Sequence, residues 1–137
     1  ISDSGQPGIL DFQDAVHGPL TYDLVSILRD CYIAWPDDRV YAWAESFRQR
    51  AEAAGLPTGT ADRFRRAFDL MGLQRHLKVL GIFCRLYYRD GKAGYLNDLP
   101  LVWRYTRDIG RRYPETADLI ALIEQAIGTR DITCPNA

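Results

Sequence analysis

Apolar residues return every three or four positions from Leu24 to Ile127, and this spacing constrains the chain more than any other feature. It is the period of one face of an α-helix, so the chain after residue 20 is expected to fold as packed helices. Leu24, Leu28, Cys31 and Trp35 mark a first helix, which Pro36 stops. Asp37 or Asp38 caps a second, whose inward face reads Val40, Trp43, Phe47, Ala51 and Ala54. Gly55 and Pro57 end it. Thr60 or Asp62 opens a third stretch, with Phe64, Phe68 and Met71 on one face and Gly72 as a candidate break or kink. The pattern resumes through Leu73, Leu77, Leu80, Phe83 or Cys84, and Tyr87, and Asp90-Gly91 closes it. Pro100 takes a favoured first-turn position of another helix, with Leu101 or Val102, Tyr105 and Ile109 inward. Pro114-Glu115 starts the last, with Leu119, Leu122 or Ile123, and Ala126 or Ile127 inward, and Gly128 ends it. Five or six helices are therefore expected over 21–128, followed by a frayed tail over 129–137.

Residues 1–20 are of a different kind. Ser2 to Gly8 is turn chemistry, and Ile9-Leu10 leading to Asp11-Phe12 is a short apolar run that reads as a strand or hairpin stub. Gly18-Pro19 breaks the chain again. An isolated two-stranded unit is marginal in water, so such a strand calls for partners that this sequence does not contain. The chain begins at Ile1 and its single methionine is Met71. The expectation is a piece of a longer protein, whose apolar strand and adjacent helices associate with an upstream portion or with another copy.

Charge narrows the function classes. Acids and bases nearly cancel, 18 against 17, which excludes the basic footprint of wholesale nucleic-acid binding. Fifteen of those bases are arginines, set between the apolar positions as a solvated helical face. No apolar run approaches the roughly 20 residues that span a bilayer. Cys31, Cys84 and Cys134 form no CxxC pair, so no zinc ribbon or redox motif is supported. Cys31 and Cys84 read as small buried hydrophobes and Cys134 as a free thiol, a pattern that favours a reducing, cytoplasmic setting.

The densest polar run is Asp11 to Asp23, with Asp14 and His17 between. A carboxylate at the end of a strand is well placed to hold a hard cation such as Mg²⁺. The alternative is that these acids cap turns and the next helix, which suits Asp23 in particular. His17 has no partner histidine at ligand spacing, and reads as a hydrogen-bonded loop residue, a base or a ligand. No GxSxG, GxxxxGK[ST] or GxGxxG motif occurs, so neither a serine nucleophile nor a phosphate-cradling loop is supported.

Gly8-Ile9-Leu10-Asp11-Phe12-Gln13-Asp14-Ala15, followed by Gly18-Pro19 and Tyr22-Asp23-Leu24, resembles the aminoglycoside phosphotransferase family of kinases. Leu28-Arg29-Asp30-Cys31-Tyr32, Trp35-Pro36, Gln74 to Gly81 and Arg89-Asp90-Gly91-Lys92 are similar to the bacterial branch that phosphorylates N-acetylmuramic acid and N-acetylglucosamine at the anomeric hydroxyl. The resemblance implies the helical C-lobe of a protein-kinase-like fold, mainly α, with ATP as co-substrate and a role in cell-wall recycling. It implies that Asp11 holds Mg²⁺ against the nucleotide phosphates. It also implies that Asp23 braces the catalytic loop from the start of a helix, and that Asp14 supports the metal loop. The family's catalytic base lies in a His-x-Asp loop before this strand, and no HxD triplet occurs here. The chain alone is therefore expected to be inactive.

Arg29, Asp30, Gln74, Arg75 and His76 are polar groups inside apolar helical patterns. Such groups either satisfy buried hydrogen bonds or face a cleft, and they are the candidates for sugar binding, with Tyr32, Trp35, Tyr87 or Tyr88 as an aromatic face. Two other readings stand beside the sugar kinase. An aminoglycoside kinase would show a markedly acidic acceptor surface, because its substrates are polycations. A non-catalytic helical interaction module would have no use for a lone strand ending in an acid.

Overall fold

The computed structural model describes Gly5 and residues 16–134. Five α-helices and one 3₁₀ helix follow in order: α1 (Tyr22–Leu28), α2 (Asp37–Ala53), α3 (Ala61–Asp90), the 3₁₀ helix (Ala93–Asp98), α4 (Leu99–Gly110) and α5 (Pro114–Ile127). The strand expected at residues 9–12 lies outside the described residues, as do Asp11 and Asp14. No strand occurs among the described residues.

The 30-residue α3 is the axis of the fold. At ~1.5 Å per residue it is about 45 Å long, and it touches α1, α2, the 3₁₀ helix and α4 along that length. Three apolar clusters string along it. Phe68 packs with Val25 and Leu28 of α1 and Val40 and Ala44 of α2. Leu73 packs with Ile109 of α4 and Ile120 of α5. Phe83 packs with Leu96, Leu99 and Val102. Cys31 and Cys84 are partly buried against that third cluster, and Cys134 is exposed. Ile132 also packs there, so the segment after α5 is anchored where fraying was expected.

The ends of α3 follow local chemistry. Thr60 caps its start, its hydroxyl oxygen accepting from the Arg63 amide at 3.3 Å. Gly91 ends it in the left-handed region at φ 67°, which lets the Gly91 and Lys92 amides close on the carbonyls of Tyr87 and Leu86. Gly72 neither breaks nor kinks the helix. It is buried, and a Cβ there would lie 3.7 Å from Val25 and 3.9 Å from the Arg29 guanidinium. These are ordinary contact distances, so a methyl group would fit there against the end of α1.

Three expectations need correction. α1 stops at Leu28, so Cys31 and Trp35 belong to the connection that follows. In α2 the buried positions are Val40, Ala44 and Ala51, while Trp43 is exposed. In α5, Leu119 and Leu122 are exposed, Ile123 and Ile127 are half-buried as the alternatives had it, and Ile120 is the buried contact.

The last point traces to Gly110. A Cβ built there would come within 2.3 Å of Ile120 Cγ1 and 2.5 Å of its Cδ1, so the missing side chain lets α5 lie directly on the end of α4. Gly110→Ala is expected to destabilise the fold by about 1–3 kcal/mol through overpacking. Ile120→Ala in the same chain should return part of that loss. Urea unfolding of the two single variants and the double variant measures the coupling, and additive losses would refute the contact.

Candidate functional site

Asp69 sits in the first third of α3 and is fully buried. A carboxylate cannot stay ionised there without replacing its lost water. Arg29 at the end of α1 donates from Nη1 to Oδ1 at 3.1 Å, and the Tyr41 hydroxyl of α2 donates to the same oxygen at 2.7 Å. The other oxygen accepts from the Tyr113 hydroxyl at 2.8 Å and from Arg112 Nη1 at 3.2 Å. Arg29 Nη2 in turn donates to the Tyr41 hydroxyl at 2.8 Å. The Arg29 and Asp69 side chains are 1% and 0% exposed, so the pair is dry. Burial and the Asp69 carboxylate push the Tyr113 phenol up to about 12.

His76 lies two turns further along α3. Its Nε2 is 3.0 Å from the Arg29 carbonyl and donates to it, which assigns the proton to Nε2. Its ring stacks on Tyr105 at 4.9 Å. Burial lowers its pKa to about 4, and the Arg29 and Arg75 charges add to that against the hydrogen bond. The Arg29 carbonyl thus finds its partner in a side chain, and Arg29 leaves helical geometry at φ −128°, ψ 55°. This is the physical reason that α1 ends before its apolar period does.

The chain then runs as a loop, held by the Tyr105 hydroxyl donating to the Ile33 carbonyl at 3.3 Å. Between this loop and α4 opens a cleft of about 260 Å³. Trp35, Arg29 and Asp37 line one side, and Tyr105, Arg104 and Asp108 line the other. Arg29 Nε and His76 Nδ1 are buried and have no hydrogen-bond partner.

The structure separates the residues singled out for sugar binding. Arg29 lines the cleft, and His76 stands behind it against Tyr105. Asp30 is half-buried and accepts from the Tyr32 amide at 3.3 Å. Gln74 is exposed on α3, and Arg75 lies over the Tyr22 ring at 4.8 Å, near the start of α1. Asp23 is exposed in the first turn of α1, and His17 is exposed in the loop before it. Sequence reading passed over Asp69, Tyr41 and Tyr113. A signal was present: Asp69, Gly72 and His76 form a non-apolar stripe at helical spacing inside a helix expected to be buried.

The model of the phosphotransferase enzyme family (APH) matches residues 1–68. The chain is 50% identical over 129 residues to an N-acetylmuramate/N-acetylglucosamine kinase of Neisseria meningitidis, covering 93% of this chain and 39% of that protein. It is 49% identical over 120 residues to the protein of that name from Pseudomonas putida, covering 87% and 35%. A Caulobacter vibrioides relative of the same name is 31% identical over 120 residues, covering 88% and 31%. The chain belongs to this phosphotransferase family. It spans less than two fifths of the length of these curated relatives. No solved structure matches it.

Two outcomes follow from the buried network. Asp69→Asn leaves Arg29 buried with its counter-charge gone, and is expected to cost about 3–5 kcal/mol in chemical unfolding. Replacing both partners, as Arg29→Met with Asp69→Leu, should recover much of this; a double variant as unstable as the single would refute the pair as the cause. His76 gives a pH dependence. Its folded pKa lies below the unfolded value, so its contribution is complete above about pH 6.5 and is lost as pH falls toward 4. Between pH 7 and pH 5 the loss of stability should be about 2 kcal/mol smaller in His76→Gln than in the wild type, read by urea unfolding. Equal losses in both chains would rule this out.

Proposed function

We propose that this chain is the helical C-terminal part of an ATP-dependent kinase that phosphorylates the anomeric hydroxyl of N-acetylmuramic acid or N-acetylglucosamine, a cytoplasmic step of cell-wall recycling. The observation that carries the reading is the 50% identity, over nearly the whole chain, to a kinase of that name. The share of each relative that is matched supports a longer working protein, with the catalytic base and the phosphate-covering lobe supplied by an upstream portion. Ile27, Tyr32 and Ile33 are exposed by half or more, which supports an apolar face that meets that portion or a second copy.

Mg²⁺ is the metal we assign, with Asp11 holding it, Asp14 supporting its loop and Asp23 bracing the catalytic loop. Among the described residues no three acidic, histidine or cysteine side chains converge as a metal site, so the ligands are assigned to the segment around Asp11 and to the upstream portion. When bound, the metal supplies charge neutralisation at the transferred phosphoryl group. Asp30, Gln74 and Arg75 stay candidates for sugar binding, Asp30 just past the end of α1 and Arg75 near its start, with Arg29 and His76 acting from the core. No helix among the described residues is long and apolar enough to cross a membrane.

The cleft speaks against an aminoglycoside as acceptor. Arg29 and Arg104 offset Asp37 and Asp108 in its walls, whereas a polycation calls for a surplus of acid.

The 137-residue chain alone should show no ATP-dependent phosphorylation of either amino sugar. Joined behind the upstream portion of the Neisseria meningitidis relative, it should phosphorylate both and leave kanamycin untouched. In that protein Asp11→Asn should lower kcat on the order of 10²–10³-fold. A coupled ADP-release assay checks each point. Turnover of kanamycin without turnover of the amino sugars would overturn the reading, and turnover by the chain alone would overturn its incompleteness.

A further inference from the structure

The geometry points to the cleft between the 29–37 loop and α4 as the seat of the acceptor sugar, with Trp35 as the platform beneath one face of the ring. The inference rests on the sugar-kinase reading for its class of ligand, and on the cleft for its place.

Size is the first argument. At about 260 Å³ the cleft lies just below the usual range of ligand sites, ~300 to 1,000 Å³. It suits a single substituted ring and not a nucleotide.

The lining is the second. Trp35 is 37% exposed, so a broad apolar surface is available to a ligand. Its indole is already held, edge-on to Trp43 at 5.5 Å and beneath the Arg39 guanidinium at 6.0 Å. A platform fixed in advance loses little side-chain freedom on binding. Opposite it stands Tyr105, fixed by its hydrogen bond to the loop and by the His76 ring. The polar walls carry both signs: Asp37 and Asp108 accept, and Arg104 donates. Hydroxyl groups do both, so a polyhydroxylated ring matches this mixture. A phosphate would meet two carboxylates, and a polycation would meet two guanidinium groups.

The test is titration of the 137-residue chain with N-acetylglucosamine, followed by ligand-observed NMR. The wild type should bind, and Trp35→Ala should weaken binding about tenfold while far-UV circular dichroism and melting stay unchanged. Should Trp35→Ala fail to fold, the exposed Arg104→Gln takes its place, with a loss of about threefold or more expected. No binding by the wild type, or undiminished binding by the folded variant, overturns the proposal. Turnover by the longer protein separates the two readings. Sugar phosphorylation with a KM unmoved by Trp35→Ala keeps the kinase and overturns the cleft. Binding that depends on Trp35, without turnover of either amino sugar, keeps the cleft and overturns the kinase.

Discussion

Asp69 brings a carboxylate to the buried side of α3, where water cannot solvate it, and four donors from three other segments take the place of that water. Arg29 reaches it from the end of α1, Tyr41 from α2, and Arg112 and Tyr113 from the connection between α4 and α5. The apolar clusters along α3 supply most of the burial, but apolar contact is non-directional and tolerates sliding. Four hydrogen bonds to two oxygens do not. Each donor has to arrive at its own oxygen, so the network sets how far each helix is turned and shifted against α3. Buried ion pairs are weak evidence for net stability, since their desolvation offsets much of their attraction. Their consequence here is placement.

The cleft follows from that placement. Arg29 turns inward to Asp69 and its carbonyl turns to His76, which leaves the last turn of α1 without a helical continuation. The chain from Asp30 to Pro36 is then free to run as a loop, and Tyr105 ties it down at Ile33. Trp35 arrives opposite α4 only because the helix ended early. Had α1 run on to Pro36, as its apolar spacing suggested, Trp35 would lie on a helix face and no cleft would separate it from Tyr105. A single carboxylate in α3 thus determines both how the helices pack and where a small ligand can enter.

This explains which parts of the fold were legible in the sequence. The starts of α3 and α5 and the ends of α3 and α5 were readable, because Thr60, Pro114, Gly91 and Gly128 act through local backbone chemistry. The end of α1 was not, because it depends on Asp69 and His76, 40 and 47 residues away from Arg29. Gly72 was misread because its neighbours continue the helix through it without a break. The inward face of α5 was misread because Gly110 sets it from another helix. Of the candidate site, Arg29 and His76 were found as polar groups in apolar helices, but their partner Asp69 was passed over beside Phe68. Asp11 and Asp14 stand on their resemblance to the family alone.

The same network limits what the described residues can do chemically. A general base works best with a pKa near the working pH. His76 holds its proton on Nε2 against a carbonyl, and its pKa of about 4 makes the free Nδ1 a weak base. Asp69 has both oxygens occupied by donors. Cys31 is pushed away from thiolate formation, first by burial and then by Asp30. These groups hold the shape of the helical core behind the cleft. Their effect on the cleft runs through the placement of Arg29 and Tyr105, which line it.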